Sequence, residues 1–392
     1  MRILGLAVAA SLALSGQVNT LSPTEISDGW LSLFDGETTW GWTAEGGAKW
    51  KIADGAIATD GGEYGWLRTN TQFADYVLKL EFQTAADGNS GVFLRSKKGA
   101  DPHKTGYELQ IFDTHPKFPT GGIVEHVAPL RKSLIKAGKW HAYEIVALGS
   151  RILVKLDGKK VLDFTGTKSS SGYVGLQYNP NKPIQFRNIK VQPLGFAPIF
   201  NGKNLSGWQT VQPPRAPAEP AEWSAKKGLL HVVKGGGQIE TKALFDDFIL
   251  QLDIRANSTD PNFHPNSGIF LRGKPNAYWS GYEIQIRNEF KDNDRTKPVD
   301  TGSGGVYFHQ PARRVVASDN RFYTQTVIAQ GRHFATWVDG FPVADWDDPY
   351  PEGDGGPRNK QALLKAGPIS LQAHDPKTNL DFKNVRIKTL GR

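Results

Sequence analysis

The sequence predicts an all-β protein that consists of two tandem antiparallel β-sandwich domains of the jelly-roll type. Three observations support this fold class: motifs that recur in the second half of the chain, apolar residues that alternate with polar ones, and many turn-forming residues. The composition includes 43 glycines, 24 prolines and 11 tryptophans. Frequent glycine and proline with abundant aromatic residues suit short strands joined by tight turns.

The recurring motifs occur in the same order in both halves of the chain. The matched segments are Leu33–Gly36 with Ile199–Gly202, Trp42 with Trp208, Asn89–Arg95 with Asn266–Arg272, Gly106–Ile111 with Gly281–Ile286, Gly175–Gln177 with Ser370–Gln372, and Phe186–Ile189 with Phe382–Val385. Ordered self-similarity of this kind indicates a duplicated domain. We therefore expect one sandwich over residues 28–194 and a second over residues 197–390.

Inside each copy the side chains alternate with a period of two. Tyr76–Phe82 and Arg151–Leu156 place apolar residues at every second position, which is the spacing of a half-buried strand. Asp157-Gly158 and Asp339-Gly340 are dipeptides typical of hairpin turns. No amphipathic helix longer than a few turns is evident, so the pattern favours antiparallel sheets in both copies.

The first residues have the pattern of a signal peptide. Met1 and Arg2 precede an apolar run over Ile3–Leu14, and the small residues Ser15 and Gly16 offer a cleavage site. We expect residues 1–16 to be removed and the protein to be exported, either to the periplasm or out of the cell. A membrane span needs about 20 apolar residues, and no segment of the chain provides them.

The composition argues against several classes of function. The chain has no cysteine, which rules out disulfides, thiolate nucleophiles and thiolate metal sites. The formal net charge is +8, but Lys and Arg are interspersed with Asp and Glu and form no basic helix. We therefore expect no nucleic acid among the partners.

Two matched strands offer polar side chains on one sheet face. In Tyr107–Ile111 the alternation puts Glu108 and Gln110 opposite the apolar set, and we expect Arg95 of the neighbouring motif on the same face. The second copy supplies Arg272, Glu283, Gln285 and Arg287 by the same reasoning. An arginine, a carboxylate and an amide on one face could hydrogen-bond sugar hydroxyls and move a proton. The alternative is an Arg–Glu pair that only satisfies itself on a sheet surface.

Further candidates flank this face. His126 and His309 follow matching Gly-Gly pairs and are candidate acid/base or metal-binding groups, whereas the plainer reading makes each a packed or surface histidine. Asp113 follows the first Glu strand directly, and the second copy has Asn288 at that place. This difference predicts that the two copies are no longer equivalent.

Exposed aromatic residues and acidic residues could also take part in binding. Trp66, Trp279 and Trp346 are candidate platforms for stacking on a sugar ring. The acidic stretch from Asp345 to Asp354 could supply oxygen ligands for Ca²⁺. It lacks the spacing of a known calcium loop, so the alternative interpretation is a solvated insertion. Each copy offers one acid clearly placed on the sheet face, which disfavours a glycosidase mechanism that needs two close carboxylates.

With these motifs the chain resembles the 3-keto-disaccharide hydrolase family of bacterial proteins. The resemblance rests on Phe-Asp/Asn-Gly with its following Trp, Ser-Gly-Val/Ile-Phe-Leu-Arg, Gly-Tyr-Glu-Leu/Ile-Gln-Ile and the final Phe-Arg/Lys-Asn-Ile/Val strand of both copies. It implies concanavalin A-like or laminin-G-like sandwiches that cleave glycosides already oxidised to a ketone at carbon 3. One base suffices for this chemistry, because the ketone acidifies the hydrogen on carbon 2.

The candidate site residues follow from the sheet face, its flanks and the resemblance together. The candidate catalytic residues are Glu108, Arg95, Asp113, His126, Glu283, Arg272 and His309, and the candidate substrate-binding residues are Gln110, Gln285, Arg287, Tyr307 and Trp279. A divalent metal, Ca²⁺ or a transition metal, stays open as a cofactor, because it would stabilise an enolate. Each copy departs from the family pattern once, at Val124 and at Asn288. A non-catalytic protein with two carbohydrate-binding modules is therefore the rival interpretation.

Overall fold

The computed structural model describes residues 18–99, 101–132, 135–215, 217, 219–351 and 364–391. The first copy contains two short helices, α1 (Pro23–Ser27) and α2 (Pro102–Thr105). Its strands are β1 (Leu31–Ser32), β2 (Trp42–Ala53), β3 (Ala56–Phe73), β4 (Tyr76–Thr84), β5 (Ser90–Ser96), β6 (Tyr107–Ile111), β7 (His141–Leu148), β8 (Arg151–Leu156), β9 (Lys159–Thr165), β10 (Gly172–Tyr178) and β11 (Ile184–Pro193).

The second copy repeats this strand order with its own interruptions. Its strands are β12 (Ala197–Pro198), β13 (Trp208–Val211), β14 (Glu222–Lys226), β15 (Leu229–Val233), β16 (Gly237–Thr241), β17 (Phe248–Ala256), β18 (Ser267–Leu271), β19 (Tyr282–Ile286), β20 (Tyr323–Gln330), β21 (His333–Val338), β22 (Phe341–Asp347), β23 (Ile369–Ala373) and β24 (Asn379–Thr389). All strand pairs are antiparallel in both copies.

The first copy forms two layers that are joined through the long hairpin β2–β3. The front layer runs β6-β5-β10-β3-β2, and the back layer runs β3-β11-β4-β7-β8-β9 with β1 beside β11. Strand β3 serves both layers, because its C-terminal half pairs with β10 whereas Ile57 and Ala58 pair with β11. The hairpin bends at Gly62, whose positive φ and close approach to Gly47 O leave no room for a Cβ.

In the second copy the same two layers are separate sheets. The front sheet has the order β13-β16-β23-β18-β19, and the back sheet has the order β14-β15-β24-β17-β20-β21-β22 with β12 beside β24. The segment between β13 and β14 includes Pro213 and Pro214, which have no N–H to continue the ladder. The long hairpin of the first copy is therefore divided between the two sheets of the second.

Alternating apolar residues build both cores. In β4, Tyr76, Leu78, Leu80 and Phe82 are buried while the residues between them are partly exposed. Burial of one such side chain contributes about 1.5–3 kcal/mol to folding before the loss of chain entropy is counted. The layers are thus held together by the face that the period-two pattern makes apolar.

The two copies also pack against each other. Trp337 and Ile328 of the second copy belong to the same buried cluster as Leu31 and Leu33 of the first. Trp337 Nε1 donates to Ser32 O at 2.9 Å, and Ser32 N donates to Gly340 O at 2.8 Å. Side chains of the second copy therefore complete the core of the first.

These features confirm the predicted fold class, two tandem antiparallel β-sandwiches of the concanavalin A-like type. The predicted turns at Asp157-Gly158 and Asp339-Gly340 join β8 to β9 and β21 to β22. The signal peptide predicted over residues 1–16 lies outside the described residues. Within the described ranges, no helix is both long and apolar enough to cross a membrane.

Candidate functional site

A row of polar side chains covers the outer face of the front sheet in the second copy. We call it the second floor, and its members are Gln238 and Glu240 of β16, Gln372 of β23, and Glu283 and Gln285 of β19. Gln238 pairs with Gln372, and Gly268 of β18 pairs with Gln285, so these residues share one face. The residues between them, such as Ile239 and Ile284, lie in the core. Alternation therefore directs the polar set away from the core.

Glu283 is a nearly fully buried carboxyl group of this floor. Its Oε1 lies above Gly268, where an added Cβ would come within 2.3 Å of that oxygen. Its Oε2 accepts a hydrogen bond from Trp279 Nε1 at 3.2 Å. Burial raises the pKa of Glu283 to about 7, and the hydrogen bond from Trp279 offsets only part of the rise. The carboxyl group can therefore both accept and return a proton near neutral pH.

The loop between β18 and β19 lies across the second floor. Trp279 N donates to Gln238 Oε1 at 2.6 Å, and Asn276 N donates to Glu240 Oε1 at 3.0 Å. Trp279 has a φ of 54° and leaves 42% of its surface exposed. This single residue contacts Gln238 at one side of the floor and Glu283 at the other, and it also presents an aromatic surface to solvent.

Three amide atoms of the second floor are buried and have no hydrogen-bond partner among the described residues. They are Gln238 Nε2, Gln285 Oε1 and Gln372 Oε1. A buried polar atom without a partner costs about 1–3 kcal/mol, so folded proteins retain few of them. One donor and two acceptors on the same face as Glu283 match a polyhydroxylated ligand, because a hydroxyl group can donate and accept.

The first copy has an equivalent face, which we call the first floor. Its members are Trp66 and Arg68 of β3, Gln177 of β10, and Glu108 and Gln110 of β6. Gln177 pairs with Trp66, just as Gln372 pairs with Gln238 in the second copy. Trp66 therefore takes the place of Gln238, and by the same register Arg68 takes the place of Glu240. The two floors share the Glu-x-Gln strand, which is β6 in the first copy and β19 in the second. They differ on the strand three positions away in the same sheet, which is β3 in the first copy and β16 in the second.

Side chains of the first floor fill the space above it. Trp66 is 1% exposed, meets Phe93 edge to face with ring centroids 5.4 Å apart, and donates from Nε1 to Gly99 O at 3.1 Å. Arg68 Nε donates to Glu45 Oε1 at 2.7 Å. The first floor therefore has an indole bonded to a backbone carbonyl and an arginine paired with Glu45 where the second floor has Gln238 and Glu240.

Glu108 is also bound by its neighbours. Gln177 Nε2 donates to Glu108 Oε1 at 2.8 Å, and Asn179 Nδ2 donates to Gln177 Oε1 at 2.8 Å. Burial raises the pKa of Glu108 to about 7, the hydrogen bond from Gln177 opposes this rise, and the charge of Glu125 adds to it. In the described part of this floor, Gln110 Oε1 is a buried atom that stays unpaired. The first floor thus has the same kind of carboxyl group but less unused hydrogen-bonding capacity.

The structure corrects the expected placement of Arg95 on the polar face. Its guanidinium is buried and donates to Ala74 O at 2.7 Å and Gly149 O at 2.6 Å, with Asp75 at 3.3 Å. Arg95 has a φ of 55°, and this left-handed conformation interrupts the alternation that places side chains on a strand. The arginine therefore ties two turns together instead of facing Glu108.

Arg272 is placed in the same way in the second copy. It has a φ of 54°, and its guanidinium donates to Asp246 O and Gly331 O and pairs with Asp247 at 2.7 Å. The expectation that it lines the face of Glu283 is corrected for the same reason as that for Arg95. In both copies the arginine is a tie between turns.

The two candidate histidines lie on the other side of the Glu strands. His126 packs on Tyr107 and Phe164, with ring centroids 5.6 and 5.4 Å away. His309 stacks on Trp346 at 4.4 Å, and Trp346 packs on Tyr282. Tyr107 and Tyr282 precede the two floor glutamates by one residue, so their side chains point to the opposite face. The expectation that these histidines lie near the floors is corrected.

Asp113 and Arg287 are held by groups outside the floors. Asp113 Oδ2 accepts from Ile135 N at 3.1 Å beyond the end of β6. Arg287 pairs with Glu289 and Asp300, so its charge is compensated. Among the described residues, neither side chain forms a hydrogen bond or an ion pair with a floor glutamate.

Tyr307 and Trp279 are the predicted substrate-binding residues that lie next to Glu283. Tyr307 N donates to Glu283 O at 2.9 Å, which makes Tyr307 its neighbour in the sheet ladder. Of the other candidate platforms, Trp66 is buried and Trp346 is covered by His309. The second floor therefore keeps an exposed indole beside its carboxyl group.

Sequence reasoning missed Gln238, Glu240 and His374. The charge of His374 lowers the pKa of Glu283 and so places this histidine near the floor. Strand β16 carries no motif that recurs in the first copy, so only the sheet register reveals Gln238 and Glu240. Gln372 lies in a recurring motif, and alternation with Leu371 could have placed it on the face of Glu283.

The donor set does not match a metal site. Across the described ranges, no three His, Asp or Glu side chains are grouped so that they could hold a metal ion. Ca²⁺ takes about six to eight oxygen ligands, whereas the second floor has two carboxyl groups, Glu283 on β19 and Glu240 on β16, with two strands between them. Of the acidic stretch considered for Ca²⁺, Asp348 accepts from Tyr282 OH and Asp345 accepts from Asn70 Nδ2, while residues 352–354 lie outside the described residues.

Comparison with known proteins relates the chain to carbohydrate-processing proteins. A 3-keto-disaccharide hydrolase from Bacteroides thetaiotaomicron is 21% identical over 243 residues, which cover 46% of this chain and 83% of that protein. A candidate glycosyl hydrolase of known structure from Parabacteroides distasonis is 20% identical, with a TM-score of 0.40 over 46% of this chain and 100% of its own. A carbohydrate-binding module from Bacillus subtilis is 21% identical, with a TM-score of 0.32 over 38% of this chain and 94% of its own.

The family assignment rests on a sequence model that matches both copies. The model of the 3-keto-alpha-glucoside-1,2-lyase-like domain matches residues 29–192 and again residues 195–388. Together the two matches span most of the chain, in agreement with the resemblance seen in the motifs. The chain therefore belongs to the 3-keto-alpha-glucoside-1,2-lyase-like domain family.

Proposed function

We propose that the protein cleaves glycosidic bonds of 3-keto-glycosides and that the second floor is its active site. One observation carries this proposal: Glu283, a buried carboxyl group with a pKa of about 7, shares its sheet face with three buried amide atoms that have no partner among the described residues. A buried titratable group beside unsatisfied polar atoms is the arrangement expected of a site that a polar ligand completes.

In the first step, ionised Glu283 removes the hydrogen on carbon 2 of the oxidised sugar. The electron pair of the broken C2–H bond moves into the ketone at carbon 3 and forms an enolate. Gln238 Nε2, an unused donor, would stabilise the negative oxygen, while Gln285 Oε1 and Gln372 Oε1 would accept from hydroxyl groups. The exposed ring of Trp279 offers a surface for the sugar.

In the second step, the enolate expels the group on carbon 1. The bond from carbon 1 to the glycosidic oxygen breaks, and that oxygen takes the electron pair and the proton held by Glu283. Water then adds to the resulting enone at carbon 1 and returns a proton to carbon 2. The net reaction is hydrolysis, and one carboxyl group is sufficient because it gives back the proton that it took.

The first floor is the less suitable site for this reaction. Its carboxyl group already accepts from Gln177, and Trp66 occupies the position of the donor Gln238. An oxidised sugar would have to displace a buried indole before it reached Glu108. We therefore assign the first copy a supporting role in the reaction.

The test is turnover of 3-keto-trehalose by Glu283→Gln, with Glu108→Gln as the matched control. Both substitutions remove a carboxyl group with a raised pKa from the same strand position. Loss of a general base lowers the rate by about 100- to 10,000-fold, so Glu283→Gln should lose nearly all turnover while Glu108→Gln keeps most of it. Equal retention in both variants would contradict the proposal, and EDTA in a parallel assay reports any need for a metal.

Solvent exchange tests the elimination route itself. In D₂O the wild type should place deuterium on carbon 2 of the released 3-keto sugar, and Glu283→Gln should not. Release of the sugar without deuterium at carbon 2 would indicate direct displacement at carbon 1. Mass spectrometry or proton NMR of the product gives the readout.

The second candidate function is carbohydrate binding without catalysis. The exposed Trp279 and the unpaired amides would suit a bound sugar even if no bond were cleaved. Saturable binding of an oxidised glycoside with no turnover by the wild type would favour this function. In that case, weaker binding by Gln238→Ala would place the bound sugar on the second floor.

We also propose that the protein is exported on the segment 1–16. The support is the charged start and apolar run of that segment. N-terminal sequencing of protein from the periplasm or the culture medium should begin after Ser15 or Gly16. Recovery of the uncleaved chain from the cytoplasm alone would contradict this proposal.

A further inference from the structure

A cavity of about 480 Å³ opens where the two copies meet, away from both floors. We call it the inter-copy cleft. Its wall includes Thr39, Trp40 and Asn70 of the first copy and Gln310, Arg313 and Asp345 of the second. Pockets of this size bind small ligands and often lie at boundaries between domains. Because each copy supplies one side, the cleft exists only in the tandem protein.

Hydrogen bonds between the copies hold the wall in place. Arg313 Nη2 donates to Asp35 Oδ2 at 2.7 Å, and Asn70 Nδ2 donates to Asp345 Oδ2 at 3.1 Å. Gln310 Oε1 accepts from Asp345 N at 2.7 Å and so fixes the amide of that side chain. Groups that are already oriented bind a ligand with less loss of entropy.

Part of the hydrogen-bonding capacity of the wall is unused. Within the described part of the chain, Gln310 Nε2, Thr39 Oγ1 and Arg313 Nε make no hydrogen bond. Asp345 Oδ1 lies 3.9 Å from His333 Nε2, which is beyond hydrogen-bond distance. The indole N–H of Trp40 is buried without an acceptor, and the Arg313 guanidinium lies 5.1 Å from the centre of its ring. Donors, acceptors and an aromatic ring therefore line the same cleft.

The first copy shows that the fold does not require the residues on the second side of the cleft. Leu130 N donates to Val161 O in the first copy, as Arg313 N donates to Val343 O in the second. Arg313 is thus equivalent to Leu130, which is 61% exposed. By the same alignment Gln310 is equivalent to Val127, which forms the matching bridge with Ile123.

The second copy shows that the fold does not require the cleft residues supplied by the first copy either. Asn70 N donates to Gly41 O, as Lys242 N donates to Gly207 O. Trp40 and Asn70 are therefore equivalent to Ser206 and Lys242. The fold therefore requires neither the indole nor the amide at these two positions.

We propose that the inter-copy cleft is a second carbohydrate-binding site, distinct from the floors, which takes an uncharged sugar unit. The charges of the wall favour a neutral ligand, because Asp35 compensates Arg313 and burial raises the pKa of Asp345, which disfavours its charged form. Interleaved donors and acceptors match sugar hydroxyls, and the indole matches the apolar face of a sugar ring. The volume accommodates a mono- or disaccharide. Such a site would hold a glycan while the second floor acts on another part of it.

The experiment is calorimetric titration of the full chain carrying Glu283→Gln with trehalose, cellobiose and maltose. Trp40→Ser and Gln310→Ala are the test variants. Trp40→Ser introduces the residue that the second copy uses at this position, so the fold should tolerate it. Gln192→Ala is the matched control, because it removes a glutamine that bonds to Asp28 O outside the cleft.

We expect saturable binding of one of these disaccharides, weakened about tenfold by Trp40→Ser and by Gln310→Ala and unchanged by Gln192→Ala. Circular dichroism and the melting temperature show whether a variant is folded, and Gln310→Ala serves if Trp40→Ser is not. Absence of saturable binding to all three sugars would overturn the proposal. Binding that both folded cleft variants retain, but that Gln238→Ala abolishes, would assign the sugar to the second floor instead. Turnover of 3-keto-trehalose is measured separately, so failure of this proposal and failure of the proposed function are distinct results.

Discussion

The two floors are built on one scaffold and differ in what surrounds the same carboxyl group. Glu108 and Glu283 occupy equivalent strands, lie over equivalent glycines and have pKa values raised to about 7 by burial. The first floor satisfies its carboxyl group with Gln177 and fills the adjoining space with Trp66. Within the described part of the chain, the second leaves amide atoms of Gln238, Gln285 and Gln372 without partners. The raised pKa is therefore a consequence of the fold that both copies share, whereas the capacity to bind a polar ligand depends on the side chains around the carboxyl group.

The arginine ties test the part of the comparison in which the copies are alike. Arg95→Met and Arg272→Met should each lower the free energy of unfolding by about 3–5 kcal/mol, because each leaves two backbone carbonyl groups without their donor and removes the arginine from a partly buried aspartate. Urea unfolding measures the effect. If Arg272→Met folded with wild-type stability but lost turnover, Arg272 would act on the substrate, as its sequence position alone had predicted.

Trp66 and Gln238 test the part in which the copies differ. Trp66→Ala should cost about 3–5 kcal/mol of unfolding free energy, because it leaves a large cavity. Gln238→Ala should cost less than about 1.5 kcal/mol, because the side-chain amide makes one hydrogen bond among the described residues, yet it should lower turnover about 100-fold. A large loss of turnover in folded Trp66→Ala would break the comparison by giving the first floor a direct role.

The pH dependence of stability sharpens the comparison further. Between pH 4.5 and about 7 the folded protein keeps a proton on Glu283 and on Glu108 that the unfolded chain has lost. The free energy of unfolding should therefore fall as the pH rises through this window and level off above it, by up to about 3 kcal/mol for each carboxyl group. Glu283→Gln and Glu108→Gln should each flatten the curve measured by urea unfolding.

The pH dependence of turnover should separate the two groups. The rate should rise with pH through an apparent pKa near 7, because Glu283 acts as a base only when it is ionised. The Glu108→Gln variant should keep this profile. A profile that moved with Glu108→Gln would assign the titrating base to the first floor.

The smallest expected effect comes from the glycines beneath the carboxyl groups. An added Cβ at Gly268 would lie 2.3 Å from Glu283 Oε1, and one at Gly91 would lie 2.9 Å from Glu108 Oε1. Gly268→Ala should displace the base and lower turnover about 10- to 100-fold, whereas Gly91→Ala should leave turnover near that of the wild type. Steady-state kinetics of both variants decides, and equal losses would mean that both carboxyl groups act.

The sequence predicted the fold and, of the second floor, the residues Glu283 and Gln285. Duplicated motifs and period-two alternation predicted both sandwiches, and alternation placed Glu108 with Gln110 and Glu283 with Gln285. It failed for Arg95 and Arg272, because a left-handed residue at a strand end reverses the direction that alternation assigns. It also missed Gln238, because β16 and β19 are distant in the chain and meet on one face only through β23 and β18.

The shared cluster around Trp337 bears on the order in which the chain can reach its native state. Leu31 and Leu33 are near the start of the chain, and the side chains that cover them, Ile328 and Trp337, come about 300 residues later. Almost the whole polypeptide must therefore be synthesised before the core of the first sandwich is complete. Contacts of such long sequence separation form slowly, so the apolar side chains of Leu31 and Leu33 stay exposed on the nascent first copy and are available to chaperones.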